Sequence, residues 1–229
     1  MNISEEKKFC LLEKIEKQEQ LSKEDESTLW LLAADEEAII RCRVAEILVF
    51  FPTSFSRKVL IDLSKDENEL VRVDACDSLC VFGDKKVAKL LMERLIHDES
   101  ELVRSYAALS LGSIAYKFKI SVPEIISQLI IRFKVESSEH ITTSILRSLY
   151  LNDRKDEYLC HLLDRLSNEH YYIRSAVVRS LQETCTDANR QIIVDALVSL
   201  LEHEEAYAVT FKIESVLEEI SKNQLYYKL

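Results

Sequence analysis

Apolar residues recur along this chain in a frame that repeats. Ile40, Val71, Val103, Ile141, Ile173 and Val209 are each followed four residues later by Val44, Ala75, Ala107, Ile145, Val177 or Ile213. Eight residues after each stands Leu48, Leu79, Leu111, Leu149, Leu181 or Leu217. Offsets of zero, four and eight fall on one stripe of a helix with 3.6 residues per turn. Five residues before each anchor lies an acid or amide: Asp35, Asp66, Asp98, Glu136, Asn168 or Glu204. A second apolar-periodic stretch precedes every anchor, carried by pairs such as Leu60/Leu63, Leu91/Leu95 and Leu162/Leu166. The pattern predicts a unit of helix A, a short acidic turn and helix B, with anchors spaced 31, 32, 38, 32 and 36 residues apart. Residues 5–19 read as a charged leading helix. Ser22 with Asp25 approximates a capping box opening the first helix A. The 38-residue spacing points to an extended loop over Phe118–Pro123, with Pro123 in the first turn of the next helix. Pro52 and Gly83 fall after a helix B, where the chain must turn.

A repeat of this length made of two helices is the mark of a solenoid. The frame Asp-x4-Val-Arg-x2-Ala-x3-Leu is strongest at Asp66–Leu79 and Asp98–Leu111, good around Arg41 and Arg174, and weaker where Thr142 and Thr210 replace the Arg. It resembles HEAT repeats over about residues 22–223, in six repeats. The resemblance implies an all-α fold, a right-handed α-solenoid with helices A on the convex face and helices B on the concave face. It is expected to form a single domain over residues 1–229: a capping helix in 1–21, the repeats in 22–223, and a tail in 224–229 that caps the last repeat or docks elsewhere.

Composition sharpens the picture. The 229 residues hold 2 Gly and 2 Pro. Sheet proteins need turn residues at regular intervals, and a phosphate-cradling loop needs two or three glycines close together. Gly83 and Gly112 stand apart. The N-terminus, with Glu5 and Glu6, is not expected to act as a signal peptide, and the longest apolar run, Ile47–Phe51, is far too short to span a bilayer. A soluble, cytoplasmic protein is therefore expected, with its six cysteines as reduced thiols.

Net charge is -10. No cluster of Lys and Arg offers to neutralise phosphates, so no nucleic-acid partner is expected, and no membrane. Residues 1–35 and 187–229 each carry net -4, while the middle is nearly balanced. Fifteen of the 40 acids lie in the A–B turns. Because corresponding turns of a solenoid line up, they predict an acidic rim. The repeated Asp and Arg read as stacking devices, since in HEAT-like solenoids such residues bridge neighbouring repeats. That leaves Glu36, Glu37, Glu67, Glu69, Glu99 and Glu101 as rim acids open to a partner. On helix B, Asp74, Asp77, Tyr106, Arg147 and Arg179 occupy positions expected to be exposed, and they complete the candidate contact residues.

Catalytic and metal signatures are sparse. Cys76 and Cys80 share a helical face, but no second Cys or His pair has suitable spacing for zinc. Repeated His-Glu pairs, as in HEAT-like deoxyhypusine hydroxylases, reduce here to His203-Glu204. HEAT-like alkylpurine DNA glycosylases need a basic concave face with aromatics and a catalytic Asp. Asp74 or Asp77 could serve, but the charge is wrong and Trp30, the single Trp, sits on a helix A face expected to be buried. HEAT-like bilin lyases are a further enzyme class. The reading the residues favour is a non-enzymatic protein-binding module, a monomer without cofactor or metal. Its partner would be another protein, and the acidic rim suits a basic one, as for an inhibitor, immunity protein or antitoxin.

Overall fold

A computed structural model describes residues 4–222. The tail at 224–229 lies outside the described residues. Thirteen α-helices and two short 3-10 turns make up the described residues, with no strand among them. Leading helix α1 (Glu5–Glu16) is followed by six helix pairs: α2 (Lys23–Leu32) with α3 (Ala38–Leu48), α4 (Ser54–Leu63) with α5 (Glu69–Ser78), and α6 (Lys85–His97) with α7 (Glu101–Phe118). Then come α8 (Val122–Val135) with α9 (Glu139–Asp153), α10 (Asp156–Asp164) with α11 (Tyr171–Thr184), and α12 (Arg190–Leu201) with α13 (Tyr207–Ser221). The fold class is that of an α-solenoid built from antiparallel helix pairs.

Local chemistry explains where helices begin. At α2, the Ser22 hydroxyl accepts from the Asp25 N–H at 3.1 Å while the Ser22 N–H donates to the Asp25 carboxylate at 2.8 Å, completing the capping box. Thr53 and Asp84 cap α4 and α6 in the same way, each accepting from backbone N–H groups of the first turn. Pro123 falls in the first turn of α8. The expected loop at Phe118–Pro123 is shorter than the spacing implied: α7 runs through Phe118 and only residues 119–121 link it to α8. The extra residues lengthen α7 to 18 residues and α8 to 14 instead. Lys119 and Ser121 take positive φ in that short link, as Arg154 does after α9, whereas Gly83 and Gly112 do not.

The anchor stripe is the core. Every anchor residue and every residue at the four- and eight-residue offsets is buried except Leu217, which is half-buried on the last helix. Full burial of each such aliphatic side chain contributes about 1.5–3 kcal/mol. Contacts gather into two compact units, Met1–Ile114 and Ala115–Leu229. In the first, α3 packs on α5 and α1 on α3; in the second, α11 packs on both α9 and α13.

Candidate protein-interaction surface

The turn residues divide into those that stack repeats and those that face solvent. Each stacking Asp first folds its own turn: Asp35, Asp66 and Asp98 accept backbone N–H groups two residues on, at 3.1, 2.9 and 3.0 Å. The same carboxylates receive a cation from the preceding repeat. Lys8 reaches Asp35 at 2.7 Å. Arg41 grips Asp66 through Nε and Nη2 at 2.7 and 2.8 Å, and Arg72 grips Asp98 at 3.1 and 2.9 Å. The remaining Nη1 groups of Arg41 and Arg72 donate to carbonyls of their own turns, at Asp35 and Asp66. Burial alone would raise the carboxyls of Asp35, Asp66 and Asp98, but their paired cations and backbone N–H donors outweigh it and hold all three below the ordinary carboxylate range. These residues are stacking devices, as expected.

Arg174 uses the same device in the second unit. Arg174 grips Glu204 at 2.6 and 2.5 Å and donates to the Asn168 carbonyl at 2.7 Å. Where Thr142 stands in for the arginine, its hydroxyl turns back to the Ser138 carbonyl at 3.0 Å. Arg165, from the following repeat, donates to the same segment, reaching the Glu139 carbonyl at 3.2 Å and the Thr143 hydroxyl at 2.8 Å. Periodicity did not single out Arg165, because it lies off the repeat frame.

With the stacking residues set aside, Glu36, Glu37, Glu67, Glu69, Glu99 and Glu101 are exposed along the turns of the first unit. Glu67 and Glu99 stand only at the outer edge of the arginine pairs, 4.0 Å from Arg41 and 3.5 Å from Arg72. On the B helices, Asp77 is exposed and Tyr106 half-exposed. Asp74 is half-buried. Burial raises its carboxyl, the Cys42 thiol opposes this by donating to it, and Glu46 and Asp77 add to the rise. Burial, with the Asp74 carboxylate beside it, pushes the Cys42 thiol up to about 12.

Arg147 departs from expectation. It is 2 % exposed and donates through Nε to Glu183 at 2.8 Å. The reason is that α9 is buried continuously from Ile141 to Leu151, so its B-helix stripe does not reach solvent. Arg179 is exposed and meets the same Glu183 carboxylate at 2.9 Å. Burial pushes Glu183 up, yet the two guanidiniums together hold it below its usual range. The structure thus joins Arg147 and Arg179 on one carboxylate within the second unit.

Several exposed apolar residues escaped the periodic reading because they lie off the buried stripe. Ile39, Leu70 and Leu102 are 53 %, 54 % and 38 % exposed on the first unit. The second unit exposes aliphatics too, among them Ile131 and Val135, and two aromatic pairs: Tyr171 packs edge-on against Tyr172, with ring centres 6.0 Å apart, and Tyr207 stacks on Phe211 at 6.1 Å. Trp30 is 44 % exposed, against the expectation of burial, with the Lys58 ammonium 4.6 Å from its ring centre. Beside it Val59 and Leu63 floor a groove of about 210 Å³. That is smaller than the roughly 300–1,000 Å³ of small-molecule sites. Among the described residues no group of three or more His, Cys, Asp or Glu is placed to hold a metal ion, and Cys76 is buried within α5. No helix of the described residues is long and apolar enough to cross a membrane.

Stacked helix pairs bridged by arginine and acid in the turns define a helical-repeat protein. Residues 26–130 match the family model of HEAT repeats, and that stretch of the chain is made of HEAT repeats. Among solved structures, the chain is similar to YibA from Escherichia coli at 19 % identity and a TM-score of 0.57, covering 98 % of this chain and 78 % of that one. It is also similar to the complex of CpcE and CpcF of phycocyanin lyase from Nostoc sp. PCC7120, at 15 % identity and a TM-score of 0.64, covering 96 % of this chain and 91 % of that one. Both likenesses are of fold. No curated protein matches the chain.

Proposed function

We propose that this chain is a non-enzymatic protein-binding module that holds a basic partner protein along the acidic edge of its first unit. One observation carries the reading. Each turn there commits one Asp to stacking and also carries glutamates whose side chains are exposed to solvent. Such an edge steers a cationic partner and speeds its association. Stacked helix pairs present the edge already formed, which lowers the ordering cost of binding. Within this class, the role that best fits an acidic edge is masking a basic protein such as a nuclease, as an inhibitor or immunity-type protein does. The HEAT family match supports a scaffold.

The test is affinity capture from host lysate with a salt gradient, run in parallel on the wild type and on Glu67→Lys/Glu99→Lys. A basic protein that elutes at moderate salt from the wild type, and is lost by the double reversal, is the expected result. Partners indifferent to both salt and reversal would overturn the reading. Low-salt binding to duplex DNA would move the weight to the alternative, a HEAT-like DNA glycosylase.

A further inference from the structure

Ile39, Leu70 and Leu102 hold one place in three successive repeats, immediately before the buried anchors Ile40, Val71 and Val103. Each lies in the first turn of a B helix with its side chain partly exposed to solvent. On a helix this position shares a face with those four and seven residues further on. Those are Arg43 and Glu46 on α3, Asp74 and Asp77 on α5, and Tyr106 and Leu109 on α7. Arg43 is already neutralised by Glu16 at 2.5 Å and Glu46 at 2.9 Å. On the other side, Glu36, Glu67 and Glu99 stand exposed in the turns. The aliphatic row therefore has acids along all three turns on one side and, on the other, Glu46, Asp74 and Asp77 beside its first two members.

Its spacing selects the occupant. Packed helices lie about 8–10 Å apart, so the row has a step of that order. Residues seven apart on an α-helix are separated by about 10.5 Å and return to nearly the same face. A strand covers about 10 Å in three residues, but an odd step sends successive side chains to opposite faces. Resting on the acidic-edge reading above, we infer that this face binds a basic amphipathic α-helix of the partner, lying across α3, α5 and α7. Its apolar residues at i, i+7 and i+14 meet Ile39, Leu70 and Leu102, and its Lys and Arg flank them on both sides.

The probe is a fluorescent Ala/Lys/Leu peptide of about 18 residues, helical by design, with Leu every seventh position. A second peptide of the same composition spaces Leu every fifth position. By fluorescence anisotropy the wild type is expected to prefer the first by about tenfold or more. Ile39→Ser/Leu70→Ser/Leu102→Ser should erase the preference and keep salt-sensitive binding to both, with circular dichroism confirming an intact fold. Equal binding of the two peptides by the wild type, or a preference that survives the triple variant, overturns the inference and leaves the acidic edge standing. So does failure of both peptides to bind while the lysate partner is still captured. Peptide binding that ignores salt and Glu67→Lys/Glu99→Lys counts against the acidic edge itself.

Discussion

The two units solve the same stacking problem differently. In Met1–Ile114, Lys8, Arg41 and Arg72 form an unbroken series of grips on Asp35, Asp66 and Asp98, each guanidinium also tied to its own turn. In Ala115–Leu229, Arg174 grips Glu204, Arg147 reaches Glu183, and Arg165 bonds neutral oxygens near Thr142, which has no charge to offer. Exposed apolar side chains occur in both units: Ile39, Leu70 and Leu102 with Trp30 and Phe50 in the first, and Ile131 and Val135 with Tyr171, Tyr172, Tyr207 and Phe211 in the second. A repeat can thus vary its bridging pair as long as each turn's carbonyls and N–H groups find partners. The buried anchor stripe varies far less, because its side chains fill volume.

Acid should expose this difference most strongly. The paired carboxylates of Asp35, Asp66 and Asp98 titrate below their unfolded values, so the stability they contribute is complete above about pH 4–5. It is lost as pH falls through the lowered folded values. Glu204 and Glu183 behave likewise in the second unit. The melting temperature should therefore hold near neutrality and drop below about pH 4. Hydrogen exchange at about pH 3 should open α3 and α5 before α11 and α13, because more charged grips are lost there. Simultaneous opening would erase the contrast.

Single substitutions sharpen it further. Arg72→Ala removes a buried grip from Asp98 and two donors from the Asp66 and Glu67 carbonyls. It should cost about 3 kcal/mol in urea denaturation, near the low end for broken buried pairs, because Arg94 still reaches Asp98 at 3.2 Å. Arg165→Ala gives up two hydrogen bonds to uncharged oxygens and should cost about 1–2 kcal/mol. If the two variants proved equally destabilising, charge would not distinguish the two modes of stacking. Glu67→Lys/Glu99→Lys should shift stability by less than about 0.5 kcal/mol, since both side chains lie in solvent. A large loss there would mean that the edge serves folding rather than binding.

Much of this was legible beforehand. The anchor residues, the Ser22 capping box and the stacking role of Asp66 and Arg72 follow from spacings within one or two helical turns, and such spacings report local geometry faithfully. The rim acids were legible for the same reason, as residues of a turn whose stacking position was already assigned. Arg147 was not. Its place on the helix stripe is that of an exposed residue, and its burial depends on neighbours distant in sequence. Trp30 was misplaced because Leu29, Trp30, Leu31 and Leu32 are consecutive and point to different sides of α2, and the core takes only Leu29 and Leu32.

The sequence by itself determined which segments are helical, how they pair into repeats and which side chains form the buried anchor stripe. Those properties depend on a period, and a period is written along the chain. Only the tertiary structure decided that Arg165 reaches back to Glu139 and Thr143, that Arg147 and Arg179 share Glu183, and that Ile39, Leu70 and Leu102 stay exposed. Hydrogen-bond partners and exposure are settled by distances through space, and repeats with the same spacing can satisfy the same polar groups with different residues.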